Sequence, residues 1–400
     1  MDDVVVELTS TGTFAIAAFG AVFCLMQTKY SRINRSFAAF LAAVAMNNLP
    51  DAFRQLIDAT PTLHGPAIDI AVWPSNFLLG PLFWIYVFIL TSPEQKRPTR
   101  LWRHFVLPCL ALLAALPVLA ASPDVSTALM SDQGEVDTAW TLALMVWVGV
   151  LQLAVYPQIA LYLVLIIRRL SRFRQKLRDV YASTERHELR WIYVIGGLGA
   201  LFWLTQAGLL FVAFDTTDTE TPAAFLIFAS LAGFALVSAT VLWGLRQRPP
   251  LVPDVEDPNP PEPPASETTK KYEKSALSDE ASQRLGRKLR AAMEIDHLHR
   301  DPNLSLWALA RHTGASSNYI SQTLNEQIGE SFFDFVNGYR VAEAKTLLAT
   351  TDKSVLTITY DVGFNARSSF YNAFKRIAGQ TPSSYRKTMS QRDGLDDSKS

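Results

Sequence analysis

Side chains that can both donate and accept hydrogen bonds follow one face of a predicted helix in the C-terminal part of the chain. They are Asn318, Ser321 and Gln322, whereas Ile320 and Leu324 are apolar. This spacing predicts a helix that buries the two apolar side chains and exposes the three polar ones. Amide and hydroxyl groups on an exposed helix face can reach base edges in the major groove of DNA.

The residues before this helix predict a partner helix and a tight turn. Leu306 and Leu309 recur at helical spacing, and Gly314 follows them. Glycine accepts the positive φ that such a turn needs, and Ser316 or Ser317 can cap the next helix. Two helices joined by a short turn that contains glycine are typical of the helix-turn-helix motif.

The same arrangement recurs nearer the C-terminus, in the stretch SVLTITYDVGFNARSSFYNAFKRIAG. Val362 belongs to the predicted first helix and Gly363 to the turn, and the second helix begins near Arg367 and buries Phe370 and Phe374. A single unit of this kind is a weak signal, because many helical proteins contain a similar turn. Two units in one short stretch of chain indicate a DNA-binding domain much more specifically.

Residues 332–348 predict one long helix between the two units. Its buried face is expected to carry Phe333, Val336, Tyr339 or Arg340, Ala344 and Leu347. Such a helix would hold the two units in a fixed relation. Two recognition helices held in this way can enter successive major-groove turns about 34 Å apart on one face of a duplex.

Residues 303–387 resemble the DNA-binding domain of AraC/XylS-type bacterial transcription regulators. The residues that carry the resemblance are Leu309-Ala310, Gly314, Asn337-x-x-Arg340-Val341-x-x-Ala344-x-x-Leu347-Leu348, Ile358, Gly363-Phe364, Phe370, Phe374-Lys375, Gly379, Thr381-Pro382 and Tyr385-Arg386. The chain departs from the pattern of many soluble relatives at Leu324-Asn325 and at Thr359. In Leu324-Asn325-Glu326, in the stretch 333–340 and in its apolar N-terminal half, it is similar to membrane-anchored members of the family.

The resemblance implies an all-helical fold that binds double-stranded DNA at promoters. Its DNA contacts are expected at Asn318, Ser321, Gln322, Arg367, Ser368, Tyr371 and Asn372. Lys375 and Arg376 join this set because Val362–Lys387 contains five basic residues and no acid, whereas Ser316–Asn325 is uncharged. We therefore expect the second unit to supply more phosphate-dependent affinity and the first to read bases through neutral hydrogen bonds.

The N-terminal half repeats a different pattern, in which about twenty apolar residues precede a short polar loop. Seven such runs predict a bundle of seven transmembrane helices. They lie near Leu8–Gln27, Ser36–Leu56, Ala67–Thr91, His104–Ala121, Thr138–Ile167, Trp191–Phe214 and Pro222–Leu245. The second run is the least apolar, since Asn47, Asn48, Asp51 and Arg54 occupy its later half.

Loop charges predict the orientation of this bundle. Lysine and arginine accumulate on the cytoplasmic side of short loops, and here they follow the first, third and fifth runs, whereas acids follow the fourth and sixth. Arg54 departs from this alternation. The N-terminus is therefore expected outside and the C-terminal half in the cytoplasm, which together with the resemblance predicts a multi-pass protein of the bacterial inner membrane.

Polar residues inside the apolar runs are costly in a membrane and are candidates for a signal-binding pocket. They are Asn47, Asn48, Asp51, Asp69, Asn76 and Gln206. The alternative is structural, because Asn and Gln side chains also join neighbouring helices by hydrogen bonds, and the two acids can lie at the outer interface.

These patterns predict an all-α chain with a membrane domain at 1–247, a Pro-rich linker at 248–277, a double helix-turn-helix domain at 278–390 and a disordered tail at 391–400. The predicted function is transcription regulation, with a lipid bilayer, promoter DNA, RNA polymerase, a second copy of the chain and an unidentified signal as candidate partners. The alternative is a membrane receptor or transporter-like protein whose tail binds a protein. No catalytic constellation, cofactor or metal site is expected, since the two cysteines and six histidines lack ligand spacing.

Overall fold

Helices carry both parts of the chain in the computed structural model, which describes residues 2–60, 65–92, 96–120, 139–184, 188–215, 223–247 and 279–396. These residues fall into two compact units. The first comprises Met1–Ser171 and Leu189–Val252, and the second comprises Arg172–Glu188 and Pro253–Ser400. The predicted Pro-rich linker lies outside the described residues, and so do the loops at 121–138 and 216–222 and the expected cap Ser278.

The helices of the first unit follow the predicted apolar runs. They are α1 (Asp2–Met26), α2 (Ser31–Ala52), α3 (Arg54–Asp58), α4 (Gly65–Val72), α5 (Asn76–Leu90), α6 (Val106–Ala120), α7 (Ala139–Arg178), α8 (Arg190–Asp215) and α9 (Ala223–Arg246). The third run is divided, because a short 3₁₀ turn, Trp73–Ser75, separates α4 from α5 at Pro74. The fifth run is longer than predicted, since α7 continues to Arg178 with no proline after Pro157 to end it.

Six helical stretches among the described residues are long and apolar enough to cross a membrane, judged by length and composition alone. They are Val4–Met26, Gly65–Leu90, Leu101–Ala120, Val146–Arg178, Arg190–Gly208 and Phe225–Arg246. The predicted second run forms α2, whose composition is too polar for this set. Its apolar side chains are nevertheless buried, and Val44 and Ala45 pack with Ala17 of α1.

The second unit consists of short helices around two apolar cores. The helices are α10 (Asp279–Glu294), α11 (Leu306–Thr313), α12 (Ser317–Thr323), α13 (Phe332–Thr350), α14 (Val355–Asp361), α15 (Arg367–Ala378) and α16 (Pro382–Asp396). One core contains Leu289, Leu309, Ile320 and Phe335, and the other contains Ala344, Ile358, Phe370 and Phe374. Helix α16 continues past residue 390, where the sequence predicted a disordered tail, because no proline interrupts it after Pro382.

Helix α13 joins the two cores, and its buried face differs in part from the predicted one. Its first half contributes Phe335 and Val336 to one core, and its second half contributes Val341 and Ala344 to the other. Of the two alternatives at the centre, the side chain that is fully buried is Arg340, with 0% exposure. Phe333 and Leu347, which the spacing also placed inside, are only partly buried.

Candidate nucleic-acid interface and membrane cavity

The first helix-turn-helix unit is built from α11 and α12, as the sequence predicted. The Ser305 hydroxyl accepts a hydrogen bond from the Ala308 amide at 3.2 Å and caps α11. Gly314 ends this helix with a φ of 66°, which is a left-handed conformation that glycine adopts without strain. Of the two candidate caps for α12, the structure uses Ser316, whose hydroxyl accepts from the Tyr319 amide at 3.2 Å.

The predicted base-reading residues lie on the outer side of α12. Asn318 is exposed, whereas Ser321 and Gln322 are half-buried. The Gln322 amide donates to the Glu326 carboxylate at 2.9 Å. Sequence spacing did not single out Glu326, because it lies in a π-helical turn that continues α12 beyond Thr323. This carboxylate would compete with a base for the Gln322 amide.

The second helix-turn-helix unit repeats the arrangement with α14 and α15. The Ser354 hydroxyl caps α14 by accepting from the Thr357 amide at 3.0 Å. The turn contains Gly363 with a φ of 95°, and a Cβ atom built on this glycine would lie 2.5 Å from the carbonyl oxygen of His299. The turn therefore requires glycine for two reasons, its backbone conformation and its close approach to another segment.

Four of the predicted contacts on α15 form one exposed surface. Arg367, Ser368, Asn372 and Lys375 are exposed. The Arg367 guanidinium donates to the Tyr371 hydroxyl at 3.2 Å and lies 5.0 Å from the centre of its ring. These side chains have the charge and the donors that phosphate and base edges require.

Tyr371 is half-buried beside this surface, and its hydroxyl lies within hydrogen-bonding distance of two neighbours. The hydrogen bond with the Ser383 hydroxyl, and then the bond from Arg367, lower the pKa of Tyr371 below its ordinary value. Its ring packs against Phe370 in the core. The side chain can therefore position Arg367 at the surface while its ring stays anchored.

Two basic residues that the sequence grouped with this surface have partners inside the unit. Arg376 forms an ion pair with Asp334, and its guanidinium lies 5.7 Å from the centre of the Phe333 ring. Arg386 donates to the backbone carbonyls of Leu348 and Lys353 at 3.3 and 2.6 Å. Their positive charges are engaged at the ends of helices, so the exposed basic residues left in Val362–Lys387 are Arg367 and Lys375 on α15 and Lys387 on α16.

A polar cluster beside the joint of the two helix-turn-helix units was not predicted from the sequence. Glu343 accepts hydrogen bonds from the His299 ring at 2.7 Å and from Arg300. Burial by itself would raise the pKa of Glu343, but the bonds from Arg300 and His299 outweigh it, so the pKa lies below the ordinary value. The carboxylate is therefore held ionised and connects α13 to the turn that follows α10.

The first compact unit, which contains the apolar helices α1 to α9, has a cavity of about 900 Å³ between its helices. Four of the six polar residues predicted for a signal pocket line this cavity, namely Asn47, Asn48, Asp51 and Gln206. Most of its remaining wall is apolar and comes from α1, α2, α5, α7, α8 and α9. The cavity thus combines a largely apolar body with a few hydrogen-bonding groups, which is the usual character of a small-molecule site.

The other two predicted residues lie behind the cavity wall and hold its polar side chains. The Asn47 amide donates to the Asn76 side-chain oxygen at 2.7 Å, which joins α2 to α5. Asp69 accepts two hydrogen bonds from the guanidinium of Arg54, at 3.1 and 2.9 Å. The hydrogen bonding between helices that the sequence left open for the Asn side chains is therefore present for Asn47 and Asn76.

Comparisons with known proteins match the C-terminal part of the chain. Residues 309–388 match the family described as a helix-turn-helix domain. An uncharacterized HTH-type transcriptional regulator of Staphylococcus aureus strain COL is 37% identical over 90 residues, which are 22% of this chain and 12% of that protein. The uncharacterized HTH-type transcriptional regulator YtdP of Bacillus subtilis strain 168 is 33% identical over 94 residues, 24% of this chain and 12% of that protein.

Among solved structures, the C-terminal domain of AraT, a response regulator from Geobacillus stearothermophilus, is similar over 28% of this chain and 88% of that one, with 28% identity and a TM-score of 0.24. The chain spans only 12% of the length of the curated relatives. The match to the helix-turn-helix family covers residues 309–388, which contain most of the motifs found in the sequence. Residues 309–388 therefore form a helix-turn-helix domain of the AraC type, which confirms the resemblance carried by those motifs.

Proposed function

We propose that this chain is a membrane-bound, sequence-specific DNA-binding transcription regulator that couples a signal at the membrane to transcription. The observation that carries the proposal is the pair of exposed polar helix faces, on α12 and α15, joined by the single helix α13. One chain with this arrangement can contact two segments of a duplex. The apolar helices of the first unit support its attachment to a bilayer.

Genomic footprinting with the full-length chain tests the proposal directly. Protected sites should share a sequence preference at physiological salt, and gel-shift experiments with those fragments should reproduce it. An absence of any preference would favour the alternative, a membrane protein whose helical tail binds a protein partner.

We expect Arg367→Ala and Lys375→Ala each to weaken DNA binding and to reduce the salt dependence of the binding constant. Both side chains are exposed on α15, and both are proposed to contact phosphates. Each phosphate contact contributes about 0.9 to the slope of log K against log salt, so each substitution should reduce the magnitude of the slope by about 1. Titrations of a footprinted fragment at several salt concentrations measure this slope.

Two variants serve as comparisons for this test. Lys288→Ala removes the same charge from an exposed position on α10, outside both recognition helices, and should leave the slope unchanged. Gln322→Ala should relax the preference at one part of the site without changing the slope, since a base contact carries discrimination and not counterion release. Unchanged slopes for Arg367→Ala and Lys375→Ala would refute the division of roles between the two units.

The proposed topology has seven spans, with α2 as the second, the N-terminus outside and the helix-turn-helix domain in the cytoplasm. A periplasmic reporter enzyme fused after Asp137 should be active, because four acids and no base occupy residues 121–138. The same reporter fused after Arg178 should be inactive. Activity only at the second position would refute this orientation. Residues 248–277 are proposed as the tether between the membrane and the domain.

We propose that the cavity of the first unit receives the signal, with Asn47, Asn48, Asp51 and Gln206 on its wall and Asp69 and Asn76 holding that wall. An amphipathic molecule with an apolar body and a polar end fits this lining, whose polar groups also include the charged side chains of Glu7, Arg54 and Asp58.

Gln206→Leu is expected to reduce the amount of any small molecule that copurifies with the full-length chain, because it removes a hydrogen-bonding group from the cavity wall. Mass spectrometry of the purified protein in mild detergent measures the bound molecule. Thr205→Val is the matched control, since Thr205 lies on the same helix but its hydroxyl donates to the Leu201 carbonyl. Equal occupancy in Gln206→Leu and Thr205→Val would remove the support for a binding role of Gln206.

A further inference from the structure

The end of α7 and the residues that follow it belong to the same compact unit as the helix-turn-helix helices, although in the sequence they lie among the apolar helices of the other unit. We call this segment, Arg172–Thr184, the docking segment. Its backbone pairs with the residues that precede α11 in an antiparallel arrangement. The Ala182 amide donates to the Leu304 carbonyl at 3.1 Å, and the Leu306 amide donates to the Val180 carbonyl at 2.8 Å.

Side chains of the docking segment extend this contact along the surface of the unit. Tyr181 stands opposite Ser305, and its ring meets the edge of the Trp307 ring with 5.8 Å between the ring centres. The Arg178 guanidinium lies 5.1 Å from the centre of the Phe333 ring. The contact therefore includes aromatic and cationic side chains in addition to backbone hydrogen bonds.

The docking segment also contributes a residue to the core and acceptors to a buried arginine. Ala182 is 1% exposed and belongs to the same apolar cluster as Leu309. Its carbonyl accepts from the Asn337 amide at 3.2 Å and from Arg340 Nη1 at 3.4 Å. The Ser183 hydroxyl accepts from Arg340 Nη1 at 3.0 Å. The docking segment therefore supplies hydrogen-bond acceptors for the side chains of Asn337 and Arg340 in α13.

The same arginine reaches the joint between the two helix-turn-helix units. Arg340 Nε donates to the His299 carbonyl at 2.7 Å, and Nη2 donates to the Asp301 carbonyl at 2.8 Å. In the turn of the second helix-turn-helix unit, the Asn365 side-chain amide donates to the Pro302 carbonyl at 2.8 Å. One guanidinium therefore connects the docking segment to the turn against which the second unit packs.

The docked arrangement leaves the proposed DNA-contacting faces open. Asn318 on α12 is exposed with the segment in place, and so are Arg367, Ser368 and Asn372 on α15. A segment that blocked DNA would have to cover these side chains. Docking through Ala182 and Ser183, which accept hydrogen bonds from Arg340, can instead fix the relation of the two helix-turn-helix units while these side chains stay accessible.

We propose that the helix-turn-helix unit binds the docking segment of its own chain, and that this contact holds the two recognition helices in the arrangement that binds DNA. The membrane helices then act on DNA through α7, whose last turns belong to the docking segment, and not only through residues 248–277. The docking contact stands by itself, whereas its effect on DNA rests on the proposed function.

A disulfide experiment in membranes tests the contact in the full-length chain. Tyr181 and Ser305 form a non-hydrogen-bonded antiparallel pair, for which the Cα atoms lie about 4.5 Å apart, a distance that a disulfide can bridge. Tyr181→Cys and Ser305→Cys are combined in a chain whose Cys24 and Cys109 are replaced by alanine. A protease site inserted within residues 248–277 allows the two parts to be separated after mild oxidation.

The C-terminal fragment is expected to remain covalently attached to the membrane fragment of its own chain after cleavage, until reductant is added. Tyr181→Cys with Ser368→Cys is the control pair, because Ser368 lies on the exposed face of α15. Equal crosslinking of the two pairs would overturn the docking contact. Crosslinks only between differently tagged copies of the chain would overturn docking within one chain.

A second pair of variants links the contact to DNA binding. Ala182→Arg should prevent docking, since Ala182 is 1% exposed in an apolar core, whereas Gln175→Arg adds the same charge at an exposed position of the segment. We expect Ala182→Arg to weaken binding of a footprinted fragment by about tenfold or more, within the usual range of coupling between sites. Hydrogen exchange should increase in residues 298–307, while α14 and α15 keep their protection.

The readouts separate the inference from the proposed function. If the wild-type chain binds no DNA, crosslinking and exchange still decide whether the segment docks. If the wild-type chain binds DNA and Ala182→Arg undocks with unchanged affinity, the contact is real but the role assigned to it is overturned. Loss of protection across α14 and α15 would mean that the Ala182→Arg variant is unfolded. In that case the DNA affinity of the chain locked by the 181–305 disulfide tests the role of the contact. The proposal requires the locked chain to bind DNA at least as tightly as the reduced chain.

Discussion

Replacing Arg340 with methionine should destabilise the helix-turn-helix unit by roughly 3 kcal/mol or more, because hydrogen bonds from charged groups contribute about 1.5–3 kcal/mol each and several are lost together. The arginine side chain is fully buried, with 0% exposure. It donates to the carbonyls of His299 and Asp301 and to the Ser183 hydroxyl. Methionine fills a similar length without any donor, so these acceptors would stay buried without the guanidinium.

Hydrogen exchange of the full-length chain in lipid nanodiscs measures this effect, because local opening free energies are read from amide protection. Peptides from residues 298–307 and from α13 should lose protection, whereas peptides from α5 in the first unit should not change. Arg340→Lys should be nearly as damaging, because one ammonium group cannot reach acceptors on separate segments as the planar guanidinium does.

The matched control is Arg376→Met, which makes the same replacement at an exposed arginine. The Arg376 side chain is 45% exposed and pairs with Asp334 at the surface, and such pairs contribute about 0–1 kcal/mol. Arg340→Met should therefore cost several times more than Arg376→Met. Similar losses for the two variants would show that the network around Arg340 does not stabilise the joint.

The local features of the domain could be predicted from the sequence because each depends on neighbouring residues. Gly314 and Gly363 mark the turns, the cap of α12 is narrowed to Ser316 or Ser317, and the apolar spacing places Ile320 and Phe370 inside. Each of these choices is decided within one or two helical turns. The recognition faces follow from the same periodicity, since the polar residues occupy what the apolar residues leave exposed.

The buried arginine could not be assigned in the same way. Tyr339 and Arg340 both follow Val336 at helical spacing, and hydrophobicity alone favours the tyrosine. Arg340 is inside because carbonyls from His299 and Asp301, far away in the sequence, converge on its guanidinium. A buried charge of this kind depends on acceptors that only the folded chain brings together.

The docking segment was unpredictable for a related reason. Its basic residues fit the rule for cytoplasmic loops, so their charge already had an explanation at the membrane surface. The pairing of Ala182 with Leu304 uses backbone groups, which leave no trace in side-chain periodicity.

The polarity of α2 was visible in the sequence, but its burial against Ala17 depends on packing between helices.

Gly363→Ala should be the most damaging glycine substitution in the helix-turn-helix domain, with a loss of roughly 3 kcal/mol. The left-handed backbone conformation, with φ of 95°, costs an alanine about 1–2 kcal/mol. The added Cβ would also lie 2.5 Å from the His299 carbonyl oxygen and 2.8 Å from that of Arg300. Overpacking against atoms that cannot move adds about 1–3 kcal/mol.

Alanine substitutions at two other glycines separate the backbone cost from the cost of the close contact. Gly379 has a φ of 74° but open space around it, so Gly379→Ala should show the backbone cost alone. Gly338 lies inside α13 with open space around it, and Gly338→Ala should be neutral or stabilise the helix by up to about 1 kcal/mol. Opening free energies of the three variants, measured by hydrogen exchange in the full-length chain, should therefore fall in the order Gly338→Ala, Gly379→Ala, Gly363→Ala.

The difference between Gly363→Ala and Gly379→Ala has a consequence for DNA binding. Gly363 lies four residues before α15 and contacts the turn that Arg340 binds, so a shift there moves the second recognition helix relative to the first. Gly363→Ala chains that remain folded should lose affinity for sites contacted by both units more than for a half-site contacted by α12 alone. Equal losses on both fragments would mean that this contact supports stability and does not set the spacing of the two recognition helices.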